Sequence, residues 1–139
     1  MKRKFIWAIT IFIIITISIL TYFYLGGTDK YQKVDIYTAE NFNKEINNPI
    51  ISINDKNTLK EISTIMKKSK KLPGILNVVA PEYILEIHAL NKNMQTVYLW
   101  IGKDSVKGMY MYKDNTETGY SISKTYTQKI RKIVIPTSN

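Results

Sequence analysis

The sequence contains no cysteine. This absence excludes disulfide bonds, thiolate metal sites and a cysteine nucleophile. It also excludes the lipid attachment of a lipoprotein, which requires a cysteine. If the protein is exported, packing alone must therefore stabilise it.

Histidine is nearly absent, since His88 is the only one in the sequence. A histidine metal cluster is not expected, nor is a Ser-His-Asp triad with a spare ligand. The sequence also lacks nucleophile elbows, phosphate-cradling glycine loops and zinc-protease helices. We therefore expect no cofactor, no metal and no enzymatic activity.

Positive charge is what the chain has in excess, with a formal net charge of +9. Such an excess favours anionic partners such as lipid headgroups, wall polymers or nucleic acid. The alternative is that abundant Lys, Asn and Ile reflect an AT-rich genome. Nucleic acid is not expected as a partner if the domain lies outside the cell, which is the location that the N-terminal segment predicts.

Residues 5–25 form a long apolar run without a charged residue. As a helix this run would rise about 32 Å, which matches a hydrocarbon core of about 30 Å. Trp7 lies near one end and Tyr22 and Tyr24 near the other, as in interfacial aromatic belts. The pattern predicts a single-pass transmembrane anchor.

A cleaved signal peptide is the alternative interpretation of this run. The run is longer than a signal h-region of about 7 to 15 residues, and no small-x-small cleavage site follows it. Lys2, Arg3 and Lys4 lie directly before it and favour a cytoplasmic tail at residues 1–4. The expected location is the cell membrane, with an uncleaved signal-anchor and the C-terminal domain extracellular.

Residues 26–49 are predicted to be a linker or arm, and residues 50–139 one domain. Alternation around Val34 and Ile36 predicts a short strand in the arm. In the domain, Asp55 or Thr58 could cap a helix that ends before Pro73.

From Tyr83 onward the hydrophobic period changes to two, and short turns separate the apolar runs. This pattern predicts an antiparallel meander. A last helix over residues 123–135 begins at a possible Ser123 cap and ends at Pro136. The fold class expected is therefore α+β: an N-terminal transmembrane helix, then two layers with about four to five antiparallel strands and two helices on one face.

Several blocks of the sequence are similar to the YhfM-like domain, a small exported module of Bacillus-type Gram-positive bacteria. The resemblance covers roughly residues 50–135 and rests on these segments: residues 51–55, 59–62, 73–77, 80–83, 98–101, 108–111 and 120–123, with Asp114 and Thr116. It implies the fold and an exported location, and no activity or catalytic residue. Family members are often lipoproteins, from which this cysteine-free chain departs.

Acid–base chemistry has one candidate in the sequence. His88 shares a predicted strand face with Glu86 and lies near Glu82, so a His–carboxylate pair could act in a small hydrolase. The alternative is an exposed strand histidine beside solvating charges.

Two surfaces could bind a partner. Tyr98, Trp100, Tyr110 and Tyr112 are predicted to share the sheet face that the helices leave open, where they could contact a protein or wall polymer. The N-terminal arm could instead cover them. A possible anion patch comprises Lys67, Lys68, Lys70 and Lys71, although cations at a helix C-terminus also favour its dipole.

Together these features predict a non-enzymatic, membrane-anchored binding or accessory module at the cell surface. The alternatives are the small hydrolase that uses His88, and an immunity or sensor protein that acts on another membrane protein.

Overall fold

The structure is a computed structural model that describes residues 2–25, 31–42, 48–90 and 93–135. Its helices and strands occur along the chain in the order α1 (Lys2–Leu25), β1 (Tyr31–Thr38), α2 (Ala39–Phe42), β2 (Ile51–Ile53), α3 (Lys56–Lys68), β3 (Lys70–Lys71), β4 (Tyr83–Ala89), β5 (Met94–Trp100), β6 (Met109–Tyr112), β7 (Asn115–Ser121) and α4 (Lys124–Val134).

The predicted membrane anchor is corrected by the structure. Within the part of α1 whose side chains are described, Trp7 and residues 10–20, the large apolar residues are exposed. Nowhere in the described ranges is a helix both long and apolar enough to cross a membrane. The single-pass topology, with a cytoplasmic tail and an extracellular domain, is therefore not supported.

The described strands form one sheet of seven, in the order β2-β1-β4-β5-β6-β7-β3, with antiparallel pairing throughout. The expected four to five strands were too few. β4 to β7 are the predicted meander, whereas the two-residue β3 was not predicted. β1 is longer than the short strand expected in the arm and pairs with β4 from Tyr31 to Thr38. The linker segments 26–30 and 43–47 lie outside the described residues.

Two amphipathic helices cover one face of this sheet. α3 begins after Asp55, whose side chain accepts a hydrogen bond from the Thr58 amide at 2.9 Å. α4 begins after Ser123, whose side-chain oxygen accepts a hydrogen bond from the Tyr126 amide. Their apolar faces share one buried cluster with the strands, formed by Leu59, Ile62, Ile65 and Met66 of α3, Ile130 and Val134 of α4, and Val34, Ile36, Leu85, Ile87, Val97 and Leu99 of the sheet.

The opposite side of the sheet, here called the outer face, carries the alternate residues. On β1 these are Lys33, Asp35 and Tyr37, because Val34 and Ile36 belong to the core. Lys33 lies opposite His88 and Asp35 opposite Glu86 on β4. The polar side chains of β1 and β4 are thereby collected on one surface.

Part of the outer face is covered by residues 72–81, here called the strap. Trp100 donates its indole N–H to the Val79 and Ala80 carbonyls at 3.0 and 3.1 Å. A Cβ placed on Gly119 of β7 would lie 2.3 Å from Leu76 Cδ1. The strap therefore lies directly on the β5–β7 side of the outer face.

Candidate functional site: an acid–base cluster on the outer face

Asp35 is a carboxylate set into an apolar strand. Only 4% of the residue is exposed, and its neighbours Val34 and Ile36 are fully buried. Its Oδ1 accepts a hydrogen bond from the Ser52 hydroxyl of β2. Its Oδ2 lies 2.7 Å from the Lys33 ammonium and 3.2 Å from His88 Nε2. Both carboxylate oxygens are thus satisfied, as burial of a charge requires.

The surroundings of Asp35 hold it ionised. Burial raises the pKa of this carboxyl, but hydrogen bonds from Lys33 and Ser52 lower it, as do the positive charges of Lys33 and His88. The lowering effects prevail, so the pKa of Asp35 lies below its ordinary value. At neutral pH an ionised acceptor therefore lies 3.2 Å from His88 Nε2.

His88 is oriented by that charge. An ionised carboxylate only accepts hydrogen bonds, so His88 must donate its Nε2–H to Asp35. In the neutral ring this leaves Nδ1 with a lone pair. The His88 side chain is 35% exposed, whereas that of Asp35 is 6% exposed. The pair thus combines a solvent-accessible base with a buried group that fixes its tautomer.

The carboxylates predicted as partners of His88 have other contacts. Glu86 shares the outer face with His88, as predicted, but it accepts the Tyr37 hydroxyl at 3.1 Å. Burial first, and then the hydrogen bond and charge of Glu86, raise the pKa of Tyr37 to about 12. Glu82 accepts the Ile101 amide at 2.7 Å. The hydrolase hypothesis paired His88 with these two acids, whereas the structure pairs it with Asp35.

Asp35 has a signal in the sequence that the hydrolase hypothesis did not use. It is an acid between two buried residues of an alternating apolar strand, Val34 and Ile36. Such an acid is buried only when partners satisfy it. The sequence predicts only a linker or arm with a short strand around Val34 and Ile36, and this pattern does not indicate which strands would satisfy the carboxylate.

The four aromatic residues predicted to share one face are divided between the two faces. Tyr98 lies opposite Met111 on the outer face, and Trp100 is held by the strap. Tyr110 and Tyr112 lie opposite Leu99 and Val97, on the side of the helices.

Tyr110 is part of the core under α3. Its hydroxyl donates to the Met66 carbonyl at 3.1 Å, and its ring stacks on Tyr120 with centroids 4.9 Å apart. Burial raises the pKa of Tyr110 far above the ordinary value. A shared aromatic binding face is therefore not formed.

The four lysines of the predicted anion patch are all exposed. Lys67 and Lys68 lie in the last turn of α3, and Lys70 and Lys71 form the edge strand β3. Their role as an anion patch stays a prediction. No group of three or more metal-ligating side chains occurs in the described ranges.

Comparison with known proteins places the chain in a family. The model of the YhfM protein family matches residues 28–137. The chain belongs to the YhfM family. The resemblance predicted from the sequence blocks is thus confirmed, and the match extends further, over β1 and its Asp35. A search of curated proteins returns no significant relative for this YhfM protein.

The fold of the YhfM chain is also found in a solved structure. A thioesterase-like protein from Clostridium sporogenes is 20% identical and superposes with a TM-score of 0.56, over 79% of this chain and 98% of the other. At this identity the likeness concerns the fold. Together with the absence of a spanning helix in the described residues, it conflicts with a membrane-anchored, non-enzymatic binding module, so that prediction is not kept.

Proposed function

We propose that this YhfM protein is a small hydrolase that cleaves an ester or thioester. The observation that carries the proposal is the contact at 3.2 Å between His88 Nε2 and the buried, ionised Asp35. A partly exposed histidine whose tautomer is fixed by a buried carboxylate is an arrangement suited to general-base catalysis.

In the proposed reaction, His88 Nδ1 takes a proton from a water molecule as the water oxygen attacks the substrate carbonyl carbon. The carbonyl π electrons move to oxygen and form a tetrahedral oxyanion. When the intermediate collapses, the bond to the leaving sulfur or oxygen breaks, and the imidazolium returns its proton to the leaving group. Asp35 keeps its charge throughout and stabilises the imidazolium.

Lys33 is the cation available to the oxyanion. It pairs with His88 across β1 and β4, which places the two Cβ atoms about 5 Å apart. Its side chain is 41% exposed, and its ammonium lies 2.7 Å from Asp35 Oδ2, which keeps the positive charge close to His88. A positive charge fixed beside the general base favours the transition state, in which negative charge develops.

The apolar part of a substrate has room on the same face. A cavity of about 450 Å³ lies between the strap and the sheet, lined in part by Leu76, Val78 and Tyr98. Tyr98 pairs with Ile84, which is four residues or about 13 Å from His88 along β4, so this cavity would hold a part of the substrate distant from the reacting carbonyl. The fold likeness to a thioesterase-like protein supports a thioester as one substrate class, by analogy of fold.

The test is the rate of hydrolysis of a p-nitrophenyl ester and of an acyl thioester by the full chain. His88→Gln should lower kcat at least about 100-fold, the usual contribution of a general base. Asp35→Asn, at a positioning residue, should lower kcat at least about tenfold and change the pH profile. Glu86→Gln is the matched control, because Glu86 shares the outer face but contacts Tyr37.

Full activity of the His88→Gln variant would refute the proposal, as would equal losses in His88→Gln and Glu86→Gln. A natural sequence with no turnover of either substrate class would also refute it. Circular dichroism should show that all three variants are folded.

A further inference from the structure

A pocket of about 290 Å³ lies on the helix side of the sheet, at the start of β1 and the start of α3. Its walls include the side chains of Gln32, Asn54, Lys56, Leu59, Lys60 and Leu90. The acid–base cluster occupies the opposite face of the sheet, so a ligand in this pocket would bind independently of the proposed hydrolase reaction.

Two lysines give the pocket its charge. Lys56 and Lys60 are four residues apart on α3, so they lie on the same side of the helix one turn apart. Within the described residues, neither has a carboxylate within ion-pair distance. The two acids next to these lysines in the sequence have other contacts: Asp55 accepts the Thr58 amide, and Glu61 pairs with Lys129 at 3.1 Å.

The other walls of the pocket are uncharged. Gln32 and Asn54 bring carboxamides, which can donate hydrogen bonds to an anion. Leu90 is 64% exposed and Leu59 is a core residue, so they form an apolar side. Tyr31 also lines the pocket, and burial chiefly raises its pKa to about 12, which keeps it uncharged.

We propose that this pocket binds a small phosphate monoester with an apolar substituent. Lys56 and Lys60 contact the phosphate, since two adjacent ammonium groups match a group with nearly two negative charges. The substituent packs between Leu59 and Leu90. The positive end of the α3 dipole adds to the same attraction.

The probe is phenyl phosphate, titrated into the full chain by isothermal calorimetry. Lys56→Gln and Lys60→Gln should each weaken binding about tenfold, the effect of losing one hydrogen bond to a charged group. Lys68→Gln is the matched control, an exposed lysine of the same helix outside the pocket. Leu90→Gln should weaken phenyl phosphate and leave inorganic phosphate unchanged.

Equal losses in Lys68→Gln and Lys60→Gln would overturn the proposal, since they would indicate attraction to net charge alone. Equal affinity for phenol and phenyl phosphate would also overturn it. If benzoate binds as tightly as phenyl phosphate, the pocket does not select a phosphate, and the proposed ligand class would be overturned in favour of a carboxylate. Hydrolase activity is not a readout here, so the two proposals can fail separately.

Discussion

The Thr127 hydroxyl links α4 to Gly108, the residue before β6, through a hydrogen bond, and its removal should lower the free energy of unfolding. The residue is fully buried, and its Oγ1 accepts the amide of the buried Gly108 at 2.7 Å. The same hydroxyl donates to the Ser123 carbonyl at 2.9 Å. Thr127→Val keeps the volume but leaves the Gly108 N–H without its acceptor.

The expected destabilisation follows from which group is left unpaired. In the valine variant the Ser123 carbonyl still accepts a hydrogen bond from the Thr127 backbone amide, at 2.8 Å in the present structure. The group that loses its hydrogen-bond partner is therefore the Gly108 amide. A buried donor without a partner costs about 2 kcal/mol. Thr127→Ser keeps the hydroxyl and removes one methyl group, worth about 1 kcal/mol. The valine variant should therefore be the less stable of the two.

Urea denaturation followed by far-UV circular dichroism gives both free energies of unfolding, with unchanged m-values as the check on two-state unfolding. For a domain of this size, the valine variant should melt about 8 °C or more below the natural sequence. A valine variant as stable as the serine variant would refute the reasoning, because it would mean that the Gly108 amide needs no acceptor.

Two further predictions concern glycine and pH. A Cβ on Gly108 would lie 2.8 Å from Ile101 Cγ2 and 3.0 Å from the Trp100 carbonyl, both fixed, so Gly108→Ala should cost about 1 to 3 kcal/mol. Gly119→Ala meets mainly the flexible Leu76 side chain, so it should cost less and instead increase proteolysis of the strap. Comparable urea midpoints for the two variants would contradict this contrast. Asp35 should stabilise the fold above its ordinary pKa of 3.8, and this contribution should fall as pH drops through the lower pKa of the folded state. Asp35→Asn should lack that part of the acid dependence, and acid titrations that run parallel in both proteins would rule the contribution out.

The sequence was most informative where a pattern had a single physical interpretation. Ser123 and Asp55 were both predicted as possible caps, and both cap helices. Alternation also placed Glu86 and His88 on one face of a strand. Local spacing determines these features, so no knowledge of distant contacts was needed.

The predictions were wrong where the local pattern of apolar residues was compatible with two different placements of a side chain. β6 reads Met-Tyr-Met-Tyr, which is apolar in either phase, so only pairing with β5 decides that Tyr110 faces the helices. Two of the three partners of Asp35, Ser52 and His88, come from other strands, and the contact with His88 joins residues 53 apart. Hydrophobic periodicity carries no information about which strands become neighbours.

The edge strand β3 also affects how the protein behaves in concentrated solution. The unpaired N–H and C=O groups of a sheet edge can pair with another chain, which leads to aggregation. Here that edge consists of two residues, both exposed lysines, and two such edges would repel each other. Replacing Lys70 and Lys71 by Thr and Val would therefore be expected to leave the fold intact and make it prone to assemble edge to edge.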